Sequence, residues 1–244
     1  MRIDFLFPSI FLAASALAAL KGNAFTPPAG CTAFLTVQSR SCIVTHHWRC
    51  DGDPEGQKWS LTIDDTGPAT LQRTDAEFRW LETYRLKDHL REILIAPEED
   101  PASLSELLET GADSTSFTQA ILFSGQQIGN VRITGFDRLT GESIEIDGET
   151  LFRTEFAYSV SNSAGMGAYK VSGRQFVSPR YRIFFGGIET REDEYGKRTD
   201  DYSPVEFSYP GEEGFLANTP KYDCGATLSA LPQRDAMKEH DHEL

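Results

Sequence analysis

The chain of 244 residues contains few of the residue types that mark a metal or redox centre, with only four cysteines and five histidines. It has no Cys-x-x-Cys pair, the spacing that is typical of reactive thiols. It also lacks the Gly-x-Ser-x-Gly nucleophile elbow and the His-Glu-x-x-His zinc motif. Two familiar sequence signs of a hydrolase are therefore missing.

Positive charge is also scarce, because 23 lysines and arginines stand against 37 acidic residues and give a net charge of -14. Nucleic acids and anionic membrane surfaces are unfavourable partners for such a chain. After the first twenty residues no apolar run is long enough to span a bilayer. We therefore expect no transmembrane segment in the mature chain and no nucleic-acid partner.

The N-terminus has the layout of a secretory signal peptide. Arg2 precedes an apolar run from Phe5 to Leu20, and small residues then offer cleavage after Ala18 or Ala24. We predict a signal peptide over residues 1–24 and a periplasmic or secreted protein. Residues 25–231 would form a single mainly-β domain, and the polar tail over residues 232–244 is predicted to be disordered.

The segment Cys42–Cys50, C-I-V-T-H-H-W-R-C, raises the choice between a metal site, a redox site and a β-hairpin. Residues Cys31–Val37 and Cys42–Cys50 are both rich in β-branched and apolar types, and a turn candidate separates them. Antiparallel pairing with Cys31 opposite Cys50 places Leu35 opposite His46. The pattern favours a half-buried hairpin with one apolar face.

This hairpin restricts the disulfide pairing without deciding it. Cys42 and Cys50 would lie roughly 26 Å apart on a straight strand, which is too far for a bond. Cys31 and Cys50 are within cross-strand range, and elimination then pairs Cys42 with Cys224. Four cysteines allow three pairings, and this preference depends on the assumed register.

Metal binding at the hairpin is disfavoured, because His46 and His47 are adjacent and point to opposite faces of a strand. The spacing of cysteines and histidines also matches no usual zinc site. We expect no metal and no other cofactor.

The remaining chain predicts a mainly β fold, a curved antiparallel meander that is half-barrel or sandwich-like, with one or two short helices. The segment from Asp100 to Gly111 predicts a helix, with Asp100 as its cap and Gly111 as its end.

Asp147-Gly148 predicts a two-residue hairpin turn. The acidic run Glu189–Asp201 is read as a loop, and Glu77–Leu86 as helix or strand. The predicted strands are Lys58–Asp64, His89–Ala96, Phe117–Phe123, Asn130–Phe136, Glu142–Ile146, Thr150–Ser161, Ala168–Ser178 and Tyr181–Ile188.

Aromatic and apolar residues alternate with polar ones along the second half of the meander, so one sheet face is apolar. An apolar hollow of this kind is typical of sites for small apolar molecules. The candidate ligand-binding residues are Phe152, Phe156, Tyr158, Tyr181, Ile183 and Phe185.

Several segments of the chain are distinctive: LTVQSR between Cys31 and Cys42, then FRWLETYRL, FDRLTGE, GRQFVSPRYRIFFGG and SPVEFSYPGEEGF. Together they resemble uncharacterised exported proteins of alphaproteobacteria. The meander from Gly148 to Gly187 also resembles, in architecture, periplasmic half-barrel proteins such as the lipoprotein carriers LolA and LolB. The first resemblance implies export, and neither one supplies an activity.

These observations favour a non-catalytic binding module for an apolar ligand or an envelope component. Two alternatives stay open: a structural or assembly protein of the cell envelope that binds a protein partner, and a hydrolase of unknown type. No catalytic residue is assigned.

Overall fold

The computed structural model describes residues 24–162 and 167–225. The predicted signal peptide and the predicted acidic tail lie outside this range, apart from Ala24. The elements are β1 (Cys31–Ser39), β2 (Ile43–Cys50), β3 (Lys58–Asp64), β4 (Gly67–Thr74), β5 (Trp80–Arg85), β6 (Leu90–Asp100), α1 (Leu104–Thr110), β7 (Ala112–Phe123), β8 (Gln126–Ile146), β9 (Glu149–Asn162), β10 (Tyr169–Ser178), β11 (Ile183–Phe185), β12 (Ile188–Asp193), β13 (Gly196–Asp201) and β14 (Pro204–Ser208).

All fourteen strands belong to one antiparallel sheet, which confirms the mainly β fold. The strand order is β13-β12-β10-β9-β8-β7-β6-β5-β4-β3-β2-β1-β14, and β11 pairs beside β12 on β10. Most of the sheet is a meander, in which each strand pairs with the next one along the chain. The exceptions are β12, which pairs with β10 and not with β11, and β14, which returns to pair with β1. No helix in the described ranges is long and apolar enough to cross a bilayer.

Curvature of the sheet packs its β1–β14 end against the distant strand β9 around an apolar core. Leu35 and Val37 of β1 pack with Leu151 of β9 and Phe207 of β14 in one buried cluster. The tip of the β8–β9 hairpin reaches the same place, since the backbone N–H of Phe207 donates to Asp147 at 2.9 Å. The face that the curved sheet encloses is called the inner face below.

The disulfide-linked N-terminal hairpin is confirmed. Cys31 lies opposite Cys50 in the β1–β2 register, and the two are bonded. The second disulfide joins Cys42 to Cys224, at a sequence separation of 182. It ties the C-terminal segment to the start of β2, where the N–H of Cys42 also donates to the carbonyl of Tyr222 at 2.7 Å.

Beyond the first residues of the hairpin, the predicted register is wrong by one position. A bulge at Phe34 shifts the pairing, so that Leu35 lies opposite His47 and not opposite His46. The same shift applies to Val37. The predicted register assumes that successive side chains alternate strictly between the two faces of the strand. One extra residue in a bulge shifts the pairing of every later residue of the strand by one position. From Leu35 to Ser39 every residue of β1 is buried, so both faces of this part of the strand are covered.

The helix forms, but its predicted start is wrong. Ser103, and not Asp100, is the N-cap: its hydroxyl accepts a hydrogen bond from the N–H of Glu106. Asp100 remains in β6, opposite Ser116 of β7. Gly111 ends the helix as predicted, in a left-handed conformation with φ of 89° that glycine adopts without strain.

Two further corrections concern the meander. The segments Asn130–Phe136 and Glu142–Ile146 belong to the single long strand β8. The acidic run Glu189–Asp201, read as a loop, forms β12 and β13, and the ambiguous segment Glu77–Leu86 contains β5. Strand β13 is an edge of the sheet, where charged side chains remain in water while the backbone pairs on one side. The predicted turn at Asp147-Gly148 is confirmed between β8 and β9.

Candidate functional site

The inner face of the sheet encloses an aromatic cavity of about 90 Å³. Its lining comes from β5, from α1 and its preceding segment, from β7 to β10, and from β11. The lining residues are Glu77, Phe78, Trp80, Ala102, Leu104, Leu107, Asp113, Thr115, Phe117, Ile133, Phe136, Asp137, Phe156, Tyr158, Gln175 and Phe184. We call this space the aromatic cavity.

Aromatic rings from opposite parts of the curved sheet meet across this cavity. Trp80 of β5 makes edge-to-face contacts with Phe117 of β7 at 5.8 Å and with Tyr158 of β9 at 6.1 Å. Phe156 stacks beside Tyr158 at 5.8 Å. Such pairs are more favourable than burial of their area alone, so the rings hold the walls in fixed positions.

Helix α1 covers one side of the aromatic cavity. Leu104 and Leu107 are almost completely buried and pack against Val177 of β10. Glu77 holds the first turn of the helix, because its carboxylate accepts hydrogen bonds from the N–H and the hydroxyl of Ser105 at 2.8 Å each. The cover is therefore attached to the segment that precedes β5.

Two carboxyl groups form the polar corner of the cavity. Asp113 of β7 and Asp137 of β8 are directly opposite each other in the antiparallel register. Asp137 accepts a hydrogen bond from the amide of Gln175 at 2.7 Å, and Asp113 accepts one from the N–H of Ser103 at 3.0 Å. Like charges in this position repel.

Both carboxyl groups hold their protons more tightly than an exposed aspartate does. Burial raises the pKa of Asp137 to about 7; the hydrogen bond from Gln175 opposes the shift, and the charge of Asp113 adds to it. Burial also raises the pKa of Asp113 to about 6. Near neutral pH the pair can accept one hydrogen bond and donate another. Perturbed carboxyl groups in an apolar cavity are typical of binding and catalytic sites.

The six candidate residues from the sequence are divided among three places. Phe156 and Tyr158 line the aromatic cavity. Phe152 packs with the buried leucines of α1, outside the cavity. Ile183 and Phe185 belong to the core around Leu35 and border a second cavity, and Tyr181 stacks with Phe34 and Tyr209 beside that core.

The sequence analysis missed the polar members of the site, although a signal for them exists. Asp137 has the same parity along β8 as Val131 and Ile133, which are buried on the inner face. Asp113 has the same parity along β7 as Phe117. A carboxyl group on the apolar face of a strand is the pattern that points to such a site.

No protein-family model, no curated protein and no solved structure matches this chain.

Proposed function

We propose that this chain is a non-catalytic binding protein, periplasmic or secreted, that holds a small apolar ligand in the aromatic cavity. The observation that carries the proposal is the construction of that cavity. Rings from opposite parts of the sheet line one space, a helix covers it, and two carboxyl groups converge at one corner. Apolar walls with a few oriented polar groups are the usual composition of a small-molecule site.

The location outside the cytoplasm is supported by the cysteines. All four are bonded, in two disulfides. Structural disulfides persist in oxidising compartments and are rare where thiols are kept reduced. The charged start and apolar run of residues 1–24 support export in the same direction.

The size of the cavity limits the ligand to about one ring or a short branched chain. Its apolar body would lie against Trp80, Phe117 and Phe156. One hydroxyl or amino group on the ligand would face Asp137, which keeps its hydrogen bond to Gln175. A hydrogen bond in this dry corner would orient the ligand.

The test uses the mature oxidised chain and fluorobenzene as an apolar probe, followed by ¹⁹F NMR. We expect saturable broadening of the probe signal in the presence of the protein. Native mass spectra of the chain from an exporting host should also show an added small-molecule mass that leaves on denaturation. A bare chain that does not bind fluorobenzene would contradict the proposal and favour the protein-partner alternative.

A filling substitution identifies the site. Ala102 lines the cavity, so Ala102→Leu should reduce fluorobenzene binding at least fivefold by occupying the space. Ala112 is exposed at the start of β7, and Ala112→Leu is the matched control that should leave binding unchanged. Equal affinity in the two variants would place the probe elsewhere.

A further inference from the structure

A second cavity, of about 180 Å³, lies on the inner face beside the aromatic one. Phe78 and Phe184 border both cavities, and their ring centroids are 5.1 Å apart. The other lining residues are Val37, Ser39, Thr45, His47, Lys58, Trp59, Ser60, Thr62, Gln72, Thr74, Ile183, Phe185 and Gly186. We call this space the polar cavity.

Lys58 is a buried cation without a counter-ion. Its side chain, at the start of β3, belongs to a residue that is only 3% exposed. The ammonium donates to the carbonyls of Gly56 at 3.0 Å and Asp75 at 3.4 Å. In the part of the chain that the structure describes, Lys58 forms no ion pair. An ammonium has three N–H donors, so one of them has no acceptor among the described residues.

His47 supplies the second unsatisfied group. The residue is 7% exposed, and its Nε2 atom has no hydrogen-bond partner among the described residues. Phe185 contacts the ring edge-to-face at 6.1 Å and Phe34 lies 6.2 Å away, so the imidazole is held in place. Burial lowers the pKa of His47 to about 3, with the charges of His46 and Lys58 adding to the shift. A neutral imidazole can donate one N–H.

Acidic residues are missing from this cavity although they dominate the chain. Among the described residues that line it, none is Asp or Glu, and Lys58 is the one charged group. A buried ion costs several kcal/mol unless it is paired. A cation without an ion-pair partner and an unpartnered imidazole nitrogen belong to residues that line the same cavity, which leaves the position of an anion open.

We infer that the polar cavity binds a small organic monocarboxylate. One carboxylate oxygen would accept from the ammonium of Lys58 and the other from the Nε2–H of His47. The hydrocarbon part would pack against Val37, Ile183 and Phe185, the apolar residues that line this cavity together with Ser and Thr side chains of β2 to β4. A doubly charged phosphate fits less well, because one lysine balances one negative charge. This site is separate from the aromatic cavity and does not depend on its ligand.

The charge of Lys58 makes the expected binding dependent on pH. Burial lowers the pKa of Lys58 to about 8, the charges of Arg49 and Arg182 add to the shift, and those of Asp75 and Glu77 oppose it. A bound carboxylate favours the ammonium, so binding at pH 8 should take up a proton. Affinity should then fall by up to tenfold for each pH unit above 8.

The first experiment compares butyrate with butyramide by titration calorimetry on the oxidised chain at pH 7. The two probes have the same shape and differ in charge. We expect saturable butyrate binding that is at least tenfold tighter than butyramide binding, and proton uptake at pH 8 measured in two buffers. Equal binding of both probes, tighter binding of inorganic phosphate, or no binding to a folded chain would each overturn the inference.

Substitutions of Lys58 and His47 then test whether butyrate binds in the polar cavity. Lys58→Met keeps the length of the side chain and removes its charge, so butyrate affinity should fall at least tenfold. Lys170→Met, on the exposed side of β10, is the matched control. His47→Leu should also weaken binding, and His47→Gln should restore part of it because an amide N–H can replace the imidazole donor. If Lys58→Met fails to fold, the two His47 variants carry the test.

A substitution that blocks ligand binding in one cavity should leave binding in the other cavity intact. Ala102→Leu should leave butyrate binding intact, and Lys58→Met should leave fluorobenzene binding intact. Loss of butyrate binding in Ala102→Leu would place the carboxylate in the aromatic cavity and overturn the inference.

Discussion

The imidazole of His46 donates from Nε2 to the side-chain oxygen of Asn218 at a distance of 3.1 Å. The other ring nitrogen therefore accepts from the hydroxyl of Thr36, 3.0 Å away. Phe25 stacks on the ring at 4.7 Å, with planes 3° from parallel. One buried side chain thus joins the hairpin to the segments that come before and after the main sheet.

Replacing this ring should loosen both segments. We expect His46→Leu to lower the free energy of unfolding by about 1–3 kcal/mol, since it removes the hydrogen bonds of the ring with Asn218 and with the buried hydroxyl of Thr36. Urea unfolding at pH 7.5 measures the loss. His89 is exposed and has a φ of 55°, so His89→Asn, which tolerates that conformation, is the control. Equal midpoints for the two variants would show that the contacts of His46 add nothing.

The stability difference between the natural chain and His46→Leu should depend on pH. Burial lowers the pKa of His46 to about 4, although the hydrogen bond to Asn218 opposes the shift. The unfolded chain therefore takes up the proton first, and stability that is present above pH 6.5 is lost as the pH falls towards 4. The stability advantage of the natural chain over His46→Leu should shrink by about 1–3 kcal/mol across this window. An advantage that grows on acidification would contradict the assignment of a neutral imidazole.

The contribution of Asp137, in the carboxyl corner of the aromatic cavity, to stability should change with pH in the opposite direction to that of His46. The raised pKa of Asp137, about 7, means that the folded chain binds the proton more tightly. Its contribution to stability is present below about pH 4 and is lost as the pH rises through 7. Asp137→Asn carries no charge, so its stability relative to the natural chain should increase between pH 4 and 7 and then level off. We expect a gain of about 1–3 kcal/mol at pH 8.

Unfolding in urea at pH 4, 6 and 8 tests this prediction. Asp65 is exposed, and Asp65→Asn should show the same stability difference at all three values. A pH-independent difference for Asp137→Asn would mean that the carboxyl group is well hydrated.

The two disulfides should contribute unequally. The Cys42–Cys224 bond spans 182 positions and the Cys31–Cys50 bond spans 19. Restriction of the unfolded chain grows with loop length, to about 5 kcal/mol for the long loop against about 3 for the short one. Replacing both residues of the long-loop pair by serine should therefore lower the unfolding free energy more than the same change in the hairpin pair. A larger loss from the hairpin pair would show that local geometry outweighs loop length.

Gly173 is predicted to be intolerant of any side chain. A Cβ atom there would lie 2.2 Å from the carbonyl oxygen of Ile188 and 2.8 Å from the Cα of Glu189, both in β12. Gly173→Ala must separate β10 from β12, and we expect a loss of at least about 2 kcal/mol in thermal or urea unfolding. Gly52→Ala meets no atom within 4 Å and is the control. Equal stability of both variants would show that the strands can shift at no cost.

The sequence predicts the elements that local chemistry determines. Asp147-Gly148 forms its turn because both residues adopt the positive φ angles that this turn needs. Gly111 ends α1 for the same reason. Alternation of apolar and polar residues correctly places Phe156 and Tyr158 on the inner face.

The errors come from features that depend on distant parts of the chain. The bulge at Phe34 comes just before a stretch of β1 that is buried on both faces, where the hydroxyl of Thr36 accepts a hydrogen bond from the N–H of Leu216 in the C-terminal segment. Similarly, Asp137 gains its unusual environment only when the sheet curves and α1 lines the same cavity, and Lys58 gains its own where β1 to β4 meet β11. Lys58 shares its strand face with Ser60 and Thr62, which do not reveal its burial, whereas Asp137 shares its face with the apolar Val131 and Ile133.

The Cys42–Cys224 bond turns most of the molecule into a covalent ring. Thirteen strands, β2 to β14, lie between the two bonded residues. A single proteolytic cut anywhere in this stretch leaves two fragments that are still one molecule, of unchanged mass apart from the added water. Only reduction would separate them, so a nicked chain would pass unnoticed on a non-reducing gel.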